Sequence, residues 1–524
     1  MIYSSDLPTA EIPDIDFTTF ALGAARERGA KPAIIDGPSG RTLTYGELER
    51  SVRSLAAGLA ARGFGRGDTL CVCMPNGPEF PVVFHGALAA GGRCTTANPL
   101  YTAGELAHQL AETGARVLVA APAFAEVARE AAASASAGCE LYVAGETAQA
   151  QPLSELFGDP DAAPRTAIQP AEDTAAILYS GGTTGLPKGV MLSHRNLVAN
   201  LARAVPAFGL TSDDVVLAVL PFFHVYGLNV ILSQALVTGA TVVSMPRYDF
   251  LQHLDILERY RITRGYVVPP IAMALANDPA VDGRDLSALR HLLSAAAPIS
   301  SDLVEACERR LGCRMSQGYG MTEMSSATHV APPFGDERRP GSIGPPIPGT
   351  ECRVVDPDSR EDQGPGHPGE LWLRGEHVMW GYLGNPEATA AMVDTDGWLH
   401  TGDVVVVDDD GWFTVVARIK EIIKYKGYQV APAELEAILL AHPQVADCAV
   451  IGVADEEAGE IPKAFVVRAG DQLDEASVTS FVSDRVAPYK RIRAVEFIDE
   501  IPKSPSGRIL RRILEERERK IASR

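Results

Sequence analysis

Ser180-Gly181-Gly182-Thr183-Thr184-Gly185 packs three glycines and three hydroxyls into six residues, and Lys188 follows. Glycine has no Cβ and reaches positive φ at little cost, so such a loop brings backbone N–H groups close to an anion. The hydroxyls add donors, and Thr184 could also serve a phosphate-bound metal. A polyphosphate is the natural guest. The Walker loop does not fit, because Lys188 is followed by Gly189 rather than Ser or Thr and no helix opens there. Taken alone, the stretch could equally be a Gly/Thr hairpin turn.

Other segments also carry residue types that packing does not require. His224 stands among aromatics in Pro221-Phe222-Phe223-His224-Val225-Tyr226-Gly227, where a lone histidine could be a satisfied core residue. Ser294-Ala295-Ala296-Ala297-Pro298 could let a flat ligand lie against the backbone, or could be a tight packing segment. Gln317-Gly318-Tyr319-Gly320-Met321-Thr322-Glu323 is more specific. A tyrosine stacks on a purine, a threonine donates to a phosphate, and a carboxylate holds Mg²⁺. Gly397 to Asp403 ends in an aspartate suited to a ribose diol. Arg418 to Gly427 gathers positive charge, as a functional turn or as a solvated linker.

The elements that must position these residues alternate. Thr44-Tyr45-Gly46-Glu47 fits a capping box, followed by Leu48, Val52, Leu55 and Leu59 at helical spacing. Thr69 to Met74 reads as a strand with Cys71 and Cys73 on one face. Helical Glu105 to Thr113, extended Arg116 to Ala120 and helical Phe124 to Ala133 continue the rhythm, which argues for α/β layers with parallel strands. Ser193 can cap a helix near Asn196. Beyond Gly341 come turns and short strands, Glu351 to Val355 and Glu370 to Arg374, of a smaller antiparallel unit. A charged turn, Arg418 to Glu421, marks a boundary. The rest reads as a compact α+β domain, with helices over Ala433 to Leu440, over Glu475 to Val486 and from about Arg508.

A chain of 524 residues suggests two or more domains, and 46% hydrophobic content supports sizeable cores. A net charge of −20 and a pI near 5.0 argue against nucleic acid as a partner. Eight scattered cysteines without a CxxC point to a reduced, cytoplasmic protein without structural zinc. No signal-peptide pattern opens the chain. The apolar run Val215 to Val243 is broken by Pro221, His224, Asn229, Ser233 and Gln234, which argues against a membrane span.

In this order, the six segments resemble those of the adenylate-forming superfamily of acyl-CoA synthetases, luciferases and adenylation domains. The likeness covers nearly the whole chain. It is strongest toward the 4-coumarate/cinnamate–CoA ligase group, through Tyr179 to Gly189, Pro221 to Asn229, Gln317 to Glu323 and Lys424-Tyr425-Lys426-Gly427-Tyr428-Gln429-Val430-Ala431-Pro432-Ala433-Glu434-Leu435-Glu436. The resemblance implies a large N-terminal domain over 1–419, with layered α/β subdomains and a small β-subdomain. A hinge at Lys420 would join it to a small mobile α+β domain over 420–524. It implies a carboxylate attacking the α-phosphate of ATP to give acyl-AMP and pyrophosphate, after which CoA displaces AMP. Three anionic centres must be gathered without repulsion, which Mg²⁺, loop donors and cationic side chains supply.

Residue by residue, the resemblance assigns Ser180, Gly181, Gly182, Thr183, Thr184, Gly185 and Lys188 to the β- and γ-phosphates. Ala295, Ala296, Ala297, Gln317, Gly318, Tyr319 and Thr322 hold the adenylate, Glu323 and Thr184 the metal, and Asp403 and Arg418 the ribose. His224 shapes the carboxylate site and gates the pantetheine tunnel. Lys420 is the hinge, and Lys424 and Gln429 serve the thioester step. Arg247, Lys426 and Gly427 match CoA contacts. The acyl pocket takes Tyr226, Val230, Ala295, Ala296, Gly318, Gly320, Ser326, Ala327 and Val330.

Two positions depart from the family pattern. Pro502-Lys503-Ser504-Pro505-Ser506-Gly507-Arg508 ends in arginine where the family has the lysine that bridges acyl carboxylate and α-phosphate. A planar fork is not a compact ammonium, so adenylation is expected to be slowed. Gly181 stands where serine is common, a mild change. None of the acyl-pocket positions is lysine or arginine, so the expected acid is apolar or aromatic, cinnamate-like first and medium-chain fatty acids second. Alternatives are a carrier-protein-loading adenylation enzyme, a luciferase-like oxygenase and a non-catalytic binding protein. No carrier attachment site ends the sequence and no obligate protein partner is evident.

Overall fold

The computed structural model describes residues 1–135, 138–147, 150–180, 187–335, 337–426, 428–455, 457–470, 473–504 and 507–522. Four sheets organise them. One eight-stranded sheet runs, edge to edge, through Ser326–Val330, Arg314–Met321, His291–Ser294, Arg264–Val267, Val215–Ala218, Thr241–Ser244, Pro32–Asp36 and Thr42–Thr44. Its interior pairings are parallel and its two edges antiparallel. A second eight-stranded sheet runs through Gly381–Tyr382, Lys188–Ser193, Thr174–Ser180, Arg93–Thr96, Thr69–Cys73, Ala115–Ala120, Glu140–Val143 and Gln151–Pro152.

Local signals explain the elements. The capping boxes Thr44/Glu47, Thr102/Glu105 and Ser193/Asn196 are all formed. The last opens its helix at His194, so Asn196 is the third helical residue rather than the first. The helix Tyr45–Ala61 buries Leu48, Val52, Leu55 and Leu59, each contributing roughly 1.5–3 kcal/mol. Parallel strands are covered on both faces. In Thr69–Cys73, Leu70 and Val72 enter the large core shared by both sheets. Cys71 and Cys73 face a separate cluster with Leu106, Leu110 and Ala128.

A four-stranded antiparallel sheet follows, Glu351–Val355, Gly369–Arg374, Leu399–Val407 and Phe413–Arg418. The strand Phe413–Arg418 runs into the expected charged turn, which is the 3₁₀ turn Ile419–Glu421. The last sheet contains Tyr428–Val430, Ile423–Tyr425, Gly459–Arg468 and Val445–Asp455, with Ala494–Phe497 beside Gly459–Arg468. It buries its own core around Leu435, Val450, Val466 and Val478. The expected helix over Glu475 to Val486 stops at Ser483. The final helix begins at Arg511, not Arg508, because Ser504 N–H and Arg508 C=O close a 2.8 Å turn that holds Arg508 in a loop. Among the described residues no helix is long and apolar enough to cross a membrane.

Candidate active site

In an open parallel sheet, ligands bind in the crevice beyond the carboxyl ends of the strands. The singled-out segments converge there. Ser180 ends Thr174–Ser180, Ala295 follows His291–Ser294, and Gly318 to Met321 complete Arg314–Met321. The hydroxyl-rich loop joins two antiparallel strands, with Ser180 opposite Lys188. Gly181, Gly182, Thr183, Thr184 and Gly185 themselves lie outside the described residues.

Two carboxylates anchor the crevice. Glu323 is buried in the 3₁₀ turn Thr322–Met324. Its Oε1 accepts the Ser180 hydroxyl at 2.8 Å and the Tyr382 hydroxyl at 2.9 Å. The Lys188 ammonium stands 4.8 Å from the centre of the Tyr382 ring, a cation–π contact. Asp403 is buried on Leu399–Val407, where register sets it opposite Arg418. Its Oδ2 accepts the Tyr319 hydroxyl at 2.6 Å and its Oδ1 meets the Arg418 guanidinium at 2.7 Å. Burial pushes the Asp403 carboxyl up, and Arg418 and Tyr319 offset part of that.

Arg508 comes to the same place from the C-terminal sheet. A Cβ added at Gly507 would stand 3.3 Å from Val268, so this loop abuts the crevice wall. The Arg508 guanidinium is 3.6 Å from Glu421 and within electrostatic reach of Arg418 and Asp403. Burial and the like charge of Arg418 both lower its pKa. Glu421 also meets Arg511 at 2.9 Å, and Arg511 is clasped by buried Glu436 at 2.6 Å.

The acyl-pocket positions also converge. Tyr226 and Val230 lie on the buried π-helix Tyr226–Ser233, which the sequence reading did not anticipate. Pairing sets Gly318 opposite Val330, Gly320 opposite Ala327 and Met321 opposite Ser326. A Cβ on Gly320 would fall 1.9 Å from the Ser326 carbonyl oxygen, so only glycine fits. Ala296, Ser325 and Ser326 have φ of 73°, 58° and 130°. Non-glycine residues there cost roughly 1–3 kcal/mol each and persist where surroundings hold them. Asn229 Nδ2 donates to the Ser325 carbonyl at 2.8 Å, and Ser325 Oγ donates to the His377 carbonyl at 2.9 Å. Asn200 Nδ2 donates to the Ala327 carbonyl at 2.7 Å.

His224 is half-buried, and Nδ1 accepts the Tyr226 N–H at 3.4 Å. Burial pushes its imidazole down to about 4, so it is neutral at physiological pH. Gln317 lies against the backbone of Ile299, and Thr322 is buried. Arg247, Lys420, Lys424 and Lys426 are exposed, and Lys426 is paired with Glu457 at 2.5 Å. Gly427 is outside the described residues. Sequence reasoning did not assign roles to Tyr382, Asn200, Asn229, Glu421 or Arg511. Tyr382 is 59 residues from the carboxylate it touches, and no spacing rule links them.

The family described as AMP-binding enzyme matches residues 22–383, and that described as AMP-binding enzyme C-terminal domain matches 434–508. The chain belongs to the AMP-binding enzyme family. It is an AMP-forming acid–thiol ligase. It is 43% identical to 4-coumarate–CoA ligase 5 of Oryza sativa subsp. japonica, over 98% of this chain and 96% of the relative. ATP-bound MatB from Rhodopseudomonas palustris superposes with a TM-score of 0.88 at 30% identity, covering 97% of this chain and 100% of that one. The anthranilate CoA ligase AuaEII, in complex with anthranoyl-AMP, superposes with a TM-score of 0.89 at 27% identity, covering 99% of each.

Proposed function

We propose that this chain activates a cinnamate-like aromatic acid with ATP and transfers it to CoA, giving acyl-CoA, AMP and pyrophosphate. One observation carries the choice of acid. The positions converging on the acyl pocket, from Tyr226 and Val230 to Ala327 and Val330, bear no charged side chain. A curated relative that acts on coumarate supports the same choice.

The geometry supports the following roles within this proposal. Lys188 faces the β- and γ-phosphates. The free oxygen of Glu323 suits Mg²⁺, which supplies charge neutralisation on those phosphates when bound. Tyr319 stacks on the adenine, and Asp403 and Arg418 hold the ribose. Neutral His224 shapes the carboxylate site without adding charge. Arg508 faces the α-phosphate from the C-terminal side. In the thioester step the 420–524 unit turns about Lys420. Lys424, Gln429, Lys426, Gly427 and Arg247 then serve CoA. Eight unpaired cysteines support a cytoplasmic setting.

A pocket methylene is worth only about 1–3 kcal/mol, so overlapping substrates are expected. The test is AMP release on a panel of cinnamate, 4-coumarate, benzoate and C6–C12 fatty acids with CoA. A kcat/KM highest for the cinnamates supports the proposal. Preference for the fatty acids selects the medium-chain reading, and preference for a charged acid defeats both.

A further inference from the structure

Tyr382 occupies the two-residue strand Gly381–Tyr382 at the edge of the second sheet, opposite Val190. It is 7% exposed, and Thr389 Oγ1 accepts its N–H at 2.9 Å. One side chain reaches two functional residues. Its hydroxyl donates to Glu323 Oε1, and its ring carries the Lys188 ammonium. The Ser180 hydroxyl donates to the same carboxylate oxygen. Two O–H donors fill the lone pairs of Oε1. Oε2 has no hydrogen-bond partner among the described residues. Lys188 likewise has no carboxylate partner among them.

We propose that Tyr382 is a positioning residue that aims the free Oε2 of Glu323 at the nucleotide-bound cation and seats Lys188 beside it. This rests on the reading that Glu323 takes the metal and Lys188 the phosphates. The physical reason is economy of geometry. A carboxylate held at one oxygen rotates little, so the other stays aligned. A lysine stem is flexible, and the π face under its ammonium restricts it without neutralising it.

The two contacts are separable by substitution. Tyr382→Phe deletes the hydroxyl and keeps the ring, and Tyr382→Leu deletes both. Mn²⁺ replaces Mg²⁺ as the probe, with free Mn²⁺ followed by electron paramagnetic resonance in the presence of ATP. Tyr382→Phe is expected to weaken Mn²⁺ binding to the enzyme–ATP complex about 10-fold or more. It should leave metal-free ATP affinity within about 2-fold, because Lys188 keeps its ring. Tyr382→Leu should also weaken metal-free ATP roughly 3-fold or more. Steady-state kinetics should show the same split, with a raised KM for Mg²⁺ and a kcat retained at saturating metal in Tyr382→Phe. Glu323→Gln completes the set. If it weakens Mn²⁺ and Tyr382→Phe does not, the positioning role is refuted while the site reading stands. If Glu323→Gln itself leaves Mn²⁺ binding unchanged, the site reading fails and the proposal with it.

Discussion

Glu323 and Asp403 are both buried carboxylates in one crevice, yet they are finished differently. Glu323 is held at one oxygen by two hydroxyls, and among the described residues the other has no hydrogen-bond partner. Asp403 is held at both, by a hydroxyl and a guanidinium. The donors on Glu323 are neutral hydroxyls, and Arg418 reaches it only through space. Arg418 pairs directly with Asp403, so any ligand reaching that carboxylate would share it with partners already in place. The difference extends outward. Glu323 stands between elements of the two large sheets. Asp403 stands beside the 3₁₀ turn Ile419–Glu421, where every guanidinium has an acid: Arg418 with Asp403, Arg508 and Arg511 with Glu421. One carboxylate is held by hydroxyls alone. The other belongs to a set of ion pairs.

The comparison can be broken at several depths. The largest effect is expected from acid, which strikes both regions together. His85, His194, His253, His291, His329 and His377 are buried, and burial lowers them to about 4 or about 3. Their folded pKa lies below the unfolded value of 6.5, so the unfolded chain binds more protons between the two. Stability is complete above about pH 6.5 and falls as pH drops toward about 4, by up to about 1.4 kcal/mol per unit for each imidazole. Urea midpoints at pH 7 and pH 5 should differ clearly, and equal midpoints would contradict the burial argument.

Gly320→Ala comes next, because the strand it sits on leads from Tyr319 to Glu323. The new methyl would meet the Ser326 carbonyl, and displacement of about 1 Å costs roughly 100-fold in rate. Acyl-hydroxamate formation should fall by that order for every acid tried. A loss confined to large acids would instead make Gly320 a simple size filter.

Asp403→Asn separates the two carboxylates. It keeps an acceptor for Tyr319 and leaves Arg418 without its charge. The Arg418 side chain is 35% exposed, so the cost falls at the low end of a broken buried pair, about 2 kcal/mol. ATP affinity should drop roughly 30-fold with an unchanged Mg²⁺ requirement. A raised Mg²⁺ requirement would mean that the two carboxylates act as one site.

Arg508→Lys is the mildest change. A compact ammonium should leave Glu421 more readily than the guanidinium does, and ATP–pyrophosphate exchange should rise about 10-fold. Thioester formation from preformed acyl-AMP should hold steady. No gain in exchange would refute the expectation that arginine at position 508 slows adenylation.

Much of this was legible from residue order. Alternating helical and strand patterns, with capping boxes, indicated the layered α/β architecture, because those signals depend on neighbours a few residues apart. The segments carrying Ser180, Glu323, Asp403 and Arg418 could be singled out because each combines residue types that a core does not need. Tertiary structure alone decided how each carboxylate is held, since Tyr382 and Tyr319 reach Glu323 and Asp403 from distant strands. It also decided that the run after Pro221 becomes a π-helix and that Ser325 and Ser326 hold strained backbone, which the buried amides of Asn200 and Asn229 brace. Sequence fixes which groups a chain can offer. Their partners are set by sheet register and helix packing, which follow from contacts among residues far apart in the chain.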